Sequence, residues 1–171
     1  MRLSLLLDIA ADAVPDRIAV GPRDSGLSFA GLRAAAHAVA AWLVESAATN
    51  AVFVGLNGTA LPVLLFGAAA AGLPFVPVNY RLVDADLRKL IARTAPAMVV
   101  IDDDMADRIA GIDGTQLIRR SEFDARFVNI PVLAMPVPQE SENDIAVLLF
   151  TSGTTGDPKA AVLRHSNLTS Y

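Results

Sequence analysis

Apolar positions along this chain follow two spacings in turn, separated by short stretches rich in polar residues, glycine or proline. Spacings of three and four place Phe29, Leu32, Ala36, Val39 and Leu43 on one face, which predicts a helix running to about Ser46. Ser28, just ahead of it, has the hydroxyl that an N-cap needs. Unbroken apolar runs predict buried strands instead, at Val52 to Leu56, Phe75 to Val78, Met98 to Ile101 and Ile145 to Phe150, the last of them buried on both faces. Two shorter strands, Ile18 to Val20 and Leu27 to Phe29, flank the turn Asp24-Ser25-Gly26. The opening M-R-L-S-L-L-L-D-I reads as an amphipathic helix ended by Pro15. Asn57-Gly58 turns the chain into a helix with Pro62 in its permissive first turn and Gly72 at its close. Asp84 is expected to cap a helix that carries Leu87, Leu90 and Ile91. Beyond Leu117-Ile118, the segment Phe127 to Glu142, with Pro131, Pro136 and Pro138, reads as an extended connector.

Alternating helices and buried strands imply an α/β fold: a largely parallel sheet flanked by helices and joined by right-handed crossovers. The length, 171 residues, suggests about one domain. A hydrophobic content of 53% and a formal charge of −4 fit a globular chain and disfavour both disorder and electrostatic binding of nucleic acid. The chain has no cysteine, which removes disulfides, thiolate metal sites and a cysteine nucleophile, and is compatible with a cytoplasmic protein. One segment tests the membrane alternative, because no charge occurs between Glu45 and Arg81. Pro74 and Pro77 limit any helix there to Ala60 to Leu73, about 21 Å against a hydrocarbon core of about 30 Å, so a buried helix and strand are expected rather than a membrane span. Asp8 and Asp12 likewise interrupt a signal-peptide core.

The chemistry concentrates in I-A-V-L-L-F-T-S-G-T-T-G-D-P-K-A-A-V-L-R-H-S-N, Ile145 to Asn167. Thr151, Ser152, Thr154 and Thr155 supply hydroxyls, Gly153 and Gly156 allow close backbone approach, and Lys159 adds a point charge, a combination suited to a polyanion. The G-x-x-x-x-G-K-[ST] phosphate loop is absent, since Asp157 follows Gly156 and Ala160 follows Lys159. Ala160 to Leu163 reads as a second strand, so no helix dipole is at hand and hydroxyls, backbone N–H groups and the lysine would hold phosphate. By composition alone, a solvated turn between two strands explains the same residues. Two glycines and few apolar anchors predict that Ser152 to Lys159 is more mobile than its flanking strands.

F-T-S-G-T-T-G-D-P-K, with His165 and Asn167-Leu168 after it, resembles the phosphate-binding motif of the adenylate-forming superfamily, which includes acyl-CoA synthetases, peptide-synthetase adenylation domains and luciferases. L-S-F-A-G-L from Leu27 and A-G-L-P-F-V-P-V-N-Y-R from Ala71 are similar to earlier signatures of that family, in the right order. Asn79, Tyr80 and Arg81 lean toward its acyl-CoA synthetase branch. Two positions depart from the pattern. Ala160 stands where the family usually has glycine, and Arg164 where it often has Ser or Thr able to cap the next helix, a task left to Ser166 or Asn167.

The resemblance implies the N-terminal part of an AMP-binding domain over residues 1–171, truncated after the phosphate-binding motif: an incomplete N-terminal subdomain of the adenylate-forming fold. It implies an AMP-forming acyl-CoA synthetase that activates a carboxylic acid, a fatty acid above all, with ATP and Mg²⁺ and passes the acyl group to CoA. Thr151, Ser152, Gly153, Thr154, Thr155, Gly156 and Lys159 would bind the nucleotide. Two alternatives are an adenylating enzyme that loads a carrier protein and a non-catalytic scaffold. No residue here reads as a nucleophile, a general base or a metal ligand. His165 fits a structural hydrogen bond near a helix start, His37 a surface or packing histidine, and Asp102, Asp103 and Asp104 a solvated strand end. The 171 residues alone are expected to be inactive and to self-associate through apolar patches.

Overall fold

A computed structural model describes residues 1–128, 144–151 and 159–170. Helix α1 (Leu3–Ala13) leads into a two-stranded antiparallel ribbon of β1 (Ile18–Val20) and β2 (Leu27–Ser28), then α2 (Phe29–Glu45). The strand ends one residue early because Ser28 turns from strand to cap: its Oγ accepts the Gly31 N–H at 3.2 Å, and Phe29 opens the helix. From there β3 (Asn50–Val54), α3 (Ala60–Ala71), β4 (Phe75–Val78), α4 (Asp84–Ala92) and β5 (Ala97–Ile101) alternate. A 3₁₀ helix (Asp103–Ile109), β6 (Thr115–Arg119) and α5 (Arg120–Phe127) follow, then β7 (Ile145–Thr151), β8 (Lys159–Arg164) and α6 (His165–Thr169). Strands β3 to β8 form one sheet in the order β6-β5-β3-β4-β7-β8, parallel throughout except for β8, which runs antiparallel to β7.

Alternation along β3 and β5 divides the core between the two faces. Ala51, Phe53, Met98 and Val100 pack under α2, α3 and α5, whereas Val52, Val54, Val99 and Ile101 pack with Leu87, Leu90 and Ile91 of α4. Helix α3 is apolar nearly all round because it lies between α2 and the sheet; Val63, Leu64 and Ala68 are fully buried. Among the described residues no helix is long and apolar enough to cross a membrane. Gly72 ends α3 in the left-handed conformation, φ 71°, that glycine adopts without strain.

Gly67 sets the distance between α2 and α3. A Cβ there would stand 2.5 Å from Val39 Cγ1 and 3.1 Å from the Ala36 carbonyl oxygen. Gly67→Ala is expected to cost about 1–2 kcal/mol, the overpacking penalty exceeding the gain in helix propensity. Urea denaturation reads this directly, and a variant as stable as the parent would show that the two helices move apart freely.

Several expectations are corrected. The third strand begins at Asn50 and stops at Val54, not Leu56, because side chains intervene: Asp102 Oδ2 accepts the Leu56 N–H at 2.8 Å and Arg120 donates to the Leu56 carbonyl at 3.0 Å. Asp84 is the first residue of α4 rather than its cap; Val83 holds the cap position, and the Asp84 carboxylate is drawn to Arg108 Nε at 2.6 Å. Strand β7 is not buried on both faces along its length. Ala146 and Val147 are buried, but Leu149 is 38% exposed, because β7 and β8 form an antiparallel arm at the edge of the sheet, where β8 is itself exposed along most of its length. Strand β6 and helix α5 went unread in the sequence. Phe123 and Phe127, one turn apart, carry α5 onto Trp42 at ring distances of 6.4 and 5.1 Å. The connector expected over Phe127 to Glu142 therefore begins inside a helix, and its remainder from residue 129 lies outside the described residues.

Candidate nucleotide-phosphate site

Of the seven residues singled out for nucleotide binding, Thr151 and Lys159 are described; Ser152, Gly153, Thr154, Thr155 and Gly156 lie outside the described residues, as does the expectation about their mobility. Thr151 ends β7 and Lys159 begins β8, and the two face each other in the antiparallel ladder. The Thr151 hydroxyl lies 3.4 Å from the Lys159 carbonyl oxygen, and both residues are exposed. The ladder thus holds a hydroxyl and a cation side by side, about 5 Å apart at their Cα atoms. They stand at the carboxyl end of β7, the edge at which β3, β4 and β5 also finish. A hydroxyl donor and an ammonium at one sheet edge fit phosphate oxygens. Ala160 pairs with Phe150 inside β8, so this position is extended and alanine fits it without strain.

His165 joins this arm to the beginning of the chain. It is 1% exposed, and its Nδ1 accepts the backbone N–H of Leu3 at 3.2 Å, across 162 residues of sequence. Its backbone N–H donates to the Asp144 carbonyl at 3.2 Å, just before β7. The Thr169 hydroxyl donates to the Met1 carbonyl at 2.9 Å. The structural hydrogen bond expected of His165 is present, but its partner, Leu3, had no local signal. At this helix start Arg164 itself holds the N-cap position rather than Ser166 or Asn167 as expected, and Asn167, three residues on, accepts the Arg164 N–H on its Oδ1 at 2.9 Å. Burial holds His165 below the usual histidine range, opposed by Asp144 and assisted by Arg2 and the N-terminal amine.

His37 lies half-buried between α2 and α1, with Nε2 3.7 Å from Asp8 Oδ1, and burial lowers its pKa too, against Asp8 and with Arg33. Both histidines therefore favour the neutral form in the fold. As pH falls below about 6.5, the unfolded chain takes up protons that the folded chain resists, so stability present at neutral pH is lost on acidification. Thermal midpoints are expected to fall between pH 7.5 and 5.5, with His165→Asn and His37→Asn each flattening the profile; an unchanged profile in the double variant would contradict this source.

The chain leaves β3 toward α3 on one face and leaves β5 toward the 3₁₀ helix on the other, which puts the topological switch point of the sheet between their carboxyl ends. Side chains occupy it. Arg120 donates to Asp102 Oδ1 at 3.0 Å, lies 3.3 Å from Asp124 Oδ2 and stacks 5.5 Å from the Phe53 ring centre. The solvated strand end expected of the three acids is thus correct only in part: Asp103 and Asp104 are exposed, but Asp102 is drawn inward. The Ser121 hydroxyl, with its backbone N–H, holds Asp103 below the usual carboxylate range, whereas burial raises Asp124 against the pull of Arg120. Asp102 and Asp124 share Arg120 while Asp103 turns to Ser121, and among the described residues no cluster of three or more carboxylates and imidazoles is disposed to hold a metal ion.

A helix-flanked, mostly parallel sheet with an antiparallel arm at one edge is the fold of adenylate-forming enzymes: the solved Mycobacterium tuberculosis fatty acyl CoA synthetase matches it with a TM-score of 0.80 at 21% identity, over 96% of this chain and 35% of that one. The chain belongs to the AMP-binding enzyme family, whose pattern matches residues 7–171. It is 29% identical, over 98% of its length, to the medium/long-chain-fatty-acid–CoA/3-oxocholest-4-en-26-oate–CoA ligase of Mycobacterium tuberculosis H37Rv, and covers 34% of that protein. It is 33% identical to an Amycolatopsis feruloyl-CoA synthase over 68% of this chain and 23% of the other. The chain thus spans about a third of the first of these relatives or less.

Proposed function

We propose that the protein carrying this chain is an AMP-forming acid–thiol ligase that activates a carboxylic acid, a fatty acid in the first instance, with ATP and transfers the acyl group to CoA. The observation that carries the reading is the pairing of Thr151 with Lys159 at the carboxyl edge of the sheet, in a chain of the AMP-binding family. The substrate class follows from the relatives, which are named for fatty-acid and feruloyl thioesters. A role in lipid metabolism and a cytoplasmic location belong to the same reading.

In the first half-reaction the substrate carboxylate attacks the α-phosphorus of ATP, the bond to the pyrophosphate bridging oxygen breaks, and charge gathers on the departing pyrophosphate. The chain's contribution is to place Lys159 and the hydroxyls of Thr151, Ser152, Thr154 and Thr155 around the β- and γ-phosphates. Mg²⁺ would share in neutralising that charge, and no residue of this chain is assigned to hold it. Thioester formation follows when the CoA sulfur displaces AMP from the acyl carbonyl, a step that involves no β- or γ-phosphate.

Product analysis tests the proposal. The full-length protein, supplied with MgATP, CoA and a panel of carboxylic acids from short aliphatic to aromatic, is expected to form AMP and acyl-CoA in equal amounts. Activation of an acid without transfer to CoA, but with loading of a carrier protein, would move the assignment to a carrier-loading enzyme. No activation of any acid would leave a scaffold.

A further inference from the structure

Helix α1 begins without a cap of its own. Its N-cap position holds Arg2, whose side chain makes no capping bond, and its first turn has no acidic residue. The cap comes from the other end of the chain: Leu3 N–H is satisfied by His165 Nδ1, and Met1 is fastened by Thr169. Leu3, Leu7 and Ala11 are buried, so the rest of α1 is anchored in the core with α2 and α3. His165 directly follows β8, whose first residue, Lys159, ends the phosphate-binding stretch. The arm built of β7 and β8 is thereby tied to the body of the molecule at its far end from the phosphates.

Only a neutral imidazole makes this tie. Nδ1 accepts a bond when the ring proton sits on Nε2; a protonated ring carries N–H on both nitrogens and would set one donor against the Leu3 N–H. The charged groups around His165 are Asp144 before β7, Arg164 next to it in sequence, and Arg2 and the N-terminal amine from the side of α1. Burial already disfavours the charged ring, so protonation and loss of the cap work in the same direction.

We propose that Met1–Leu3 is a clip that holds the β7–β8 arm in place through neutral His165, making His165 a positioning residue for Thr151 and Lys159, and that the clip opens when His165 is protonated. The clip itself follows from the geometry; its bearing on phosphate binding rests on the function proposed above.

Amide hydrogen exchange in the full-length protein, corrected for intrinsic rates, tests the clip without nucleotide. Between pH 7.5 and 5.5 the protection of Leu3 is expected to fall about tenfold, with protection of the β8 amides falling alongside it. His165→Asn, whose side-chain oxygen is an acceptor that does not titrate, should keep both at pH 5.5, whereas His165→Ala should lose both at either pH. Unchanged Leu3 protection in the parent at pH 5.5, an equal fall in His165→Asn, or loss at Leu3 with β8 unaffected would each overturn the clip. If His165→Ala does not fold, the parent and His165→Asn still decide. Titration with MgATP at pH 7.5 separates the two readings: exchange as expected with no MgATP binding leaves the clip standing and removes the phosphate role.

Discussion

Adenylation by the full-length protein is expected to slow about 10²–10³-fold when Thr154, Thr155 and Lys159 are all replaced by alanine, and about tenfold for each single replacement. The lower figure reflects redundancy: on the proposed reading four hydroxyls and one ammonium would serve the same polyanion, and each loss would be partly covered by the others. Pyrophosphate departs only in the first half-reaction, so capture of a supplied acyl-adenylate by CoA should proceed near the parent rate in the same variants. Single-turnover kinetics of each half-reaction separate the two. Equal losses in both steps would mean that these residues act through folding or domain closure rather than by holding phosphates.

The second large effect concerns stability. Arg120→Ala is expected to destabilise the fold by about 3 kcal/mol at neutral pH, because one guanidinium serves Asp102, Asp124 and the Leu56 carbonyl and covers Phe53. Its side chain is 18% exposed and that of Asp102 14%, so solvent screens the pair only in part. Without Arg120, Asp124 faces desolvation and its acidic neighbours unopposed, and its carboxyl group should be driven further upward. Part of the loss should therefore be regained as pH is lowered and Asp124 takes its proton. Urea denaturation of parent and variant at two pH values measures both effects. A loss below about 1 kcal/mol would identify the cluster as an ordinary surface ion pair.

Features whose cause is local were legible in the sequence. The apolar stripe of α2, the Ser28 cap, Gly72 at the end of α3 and the run Phe75 to Val78 each depend on residues within one or two turns, and each appears where expected. Missed features depend on distant partners. The α5 sequence R-S-E-F-D-A-R-F has only Phe123 and Phe127 to mark an apolar face, and what makes it a packed helix is Trp42, far back in the chain. The end of β3 moved because Asp102 and Arg120 occupy the Leu56 backbone groups that a longer strand would pair. At the candidate site, the two flanking strands were readable from their apolar runs, and these place Thr151 opposite Lys159. The partnership of His165 with Leu3 was not readable, because no periodicity links residues 162 positions apart.

Isotope exchange between labelled pyrophosphate and ATP, catalysed by the full-length protein without CoA, tests most directly whether a carboxylic acid is activated as an adenylate. Label is expected to enter ATP only when MgATP and a suitable carboxylic acid, a fatty acid first among them, are both present. Exchange that proceeds without acid, or its absence with every acid in the panel from a folded protein, would contradict the assignment.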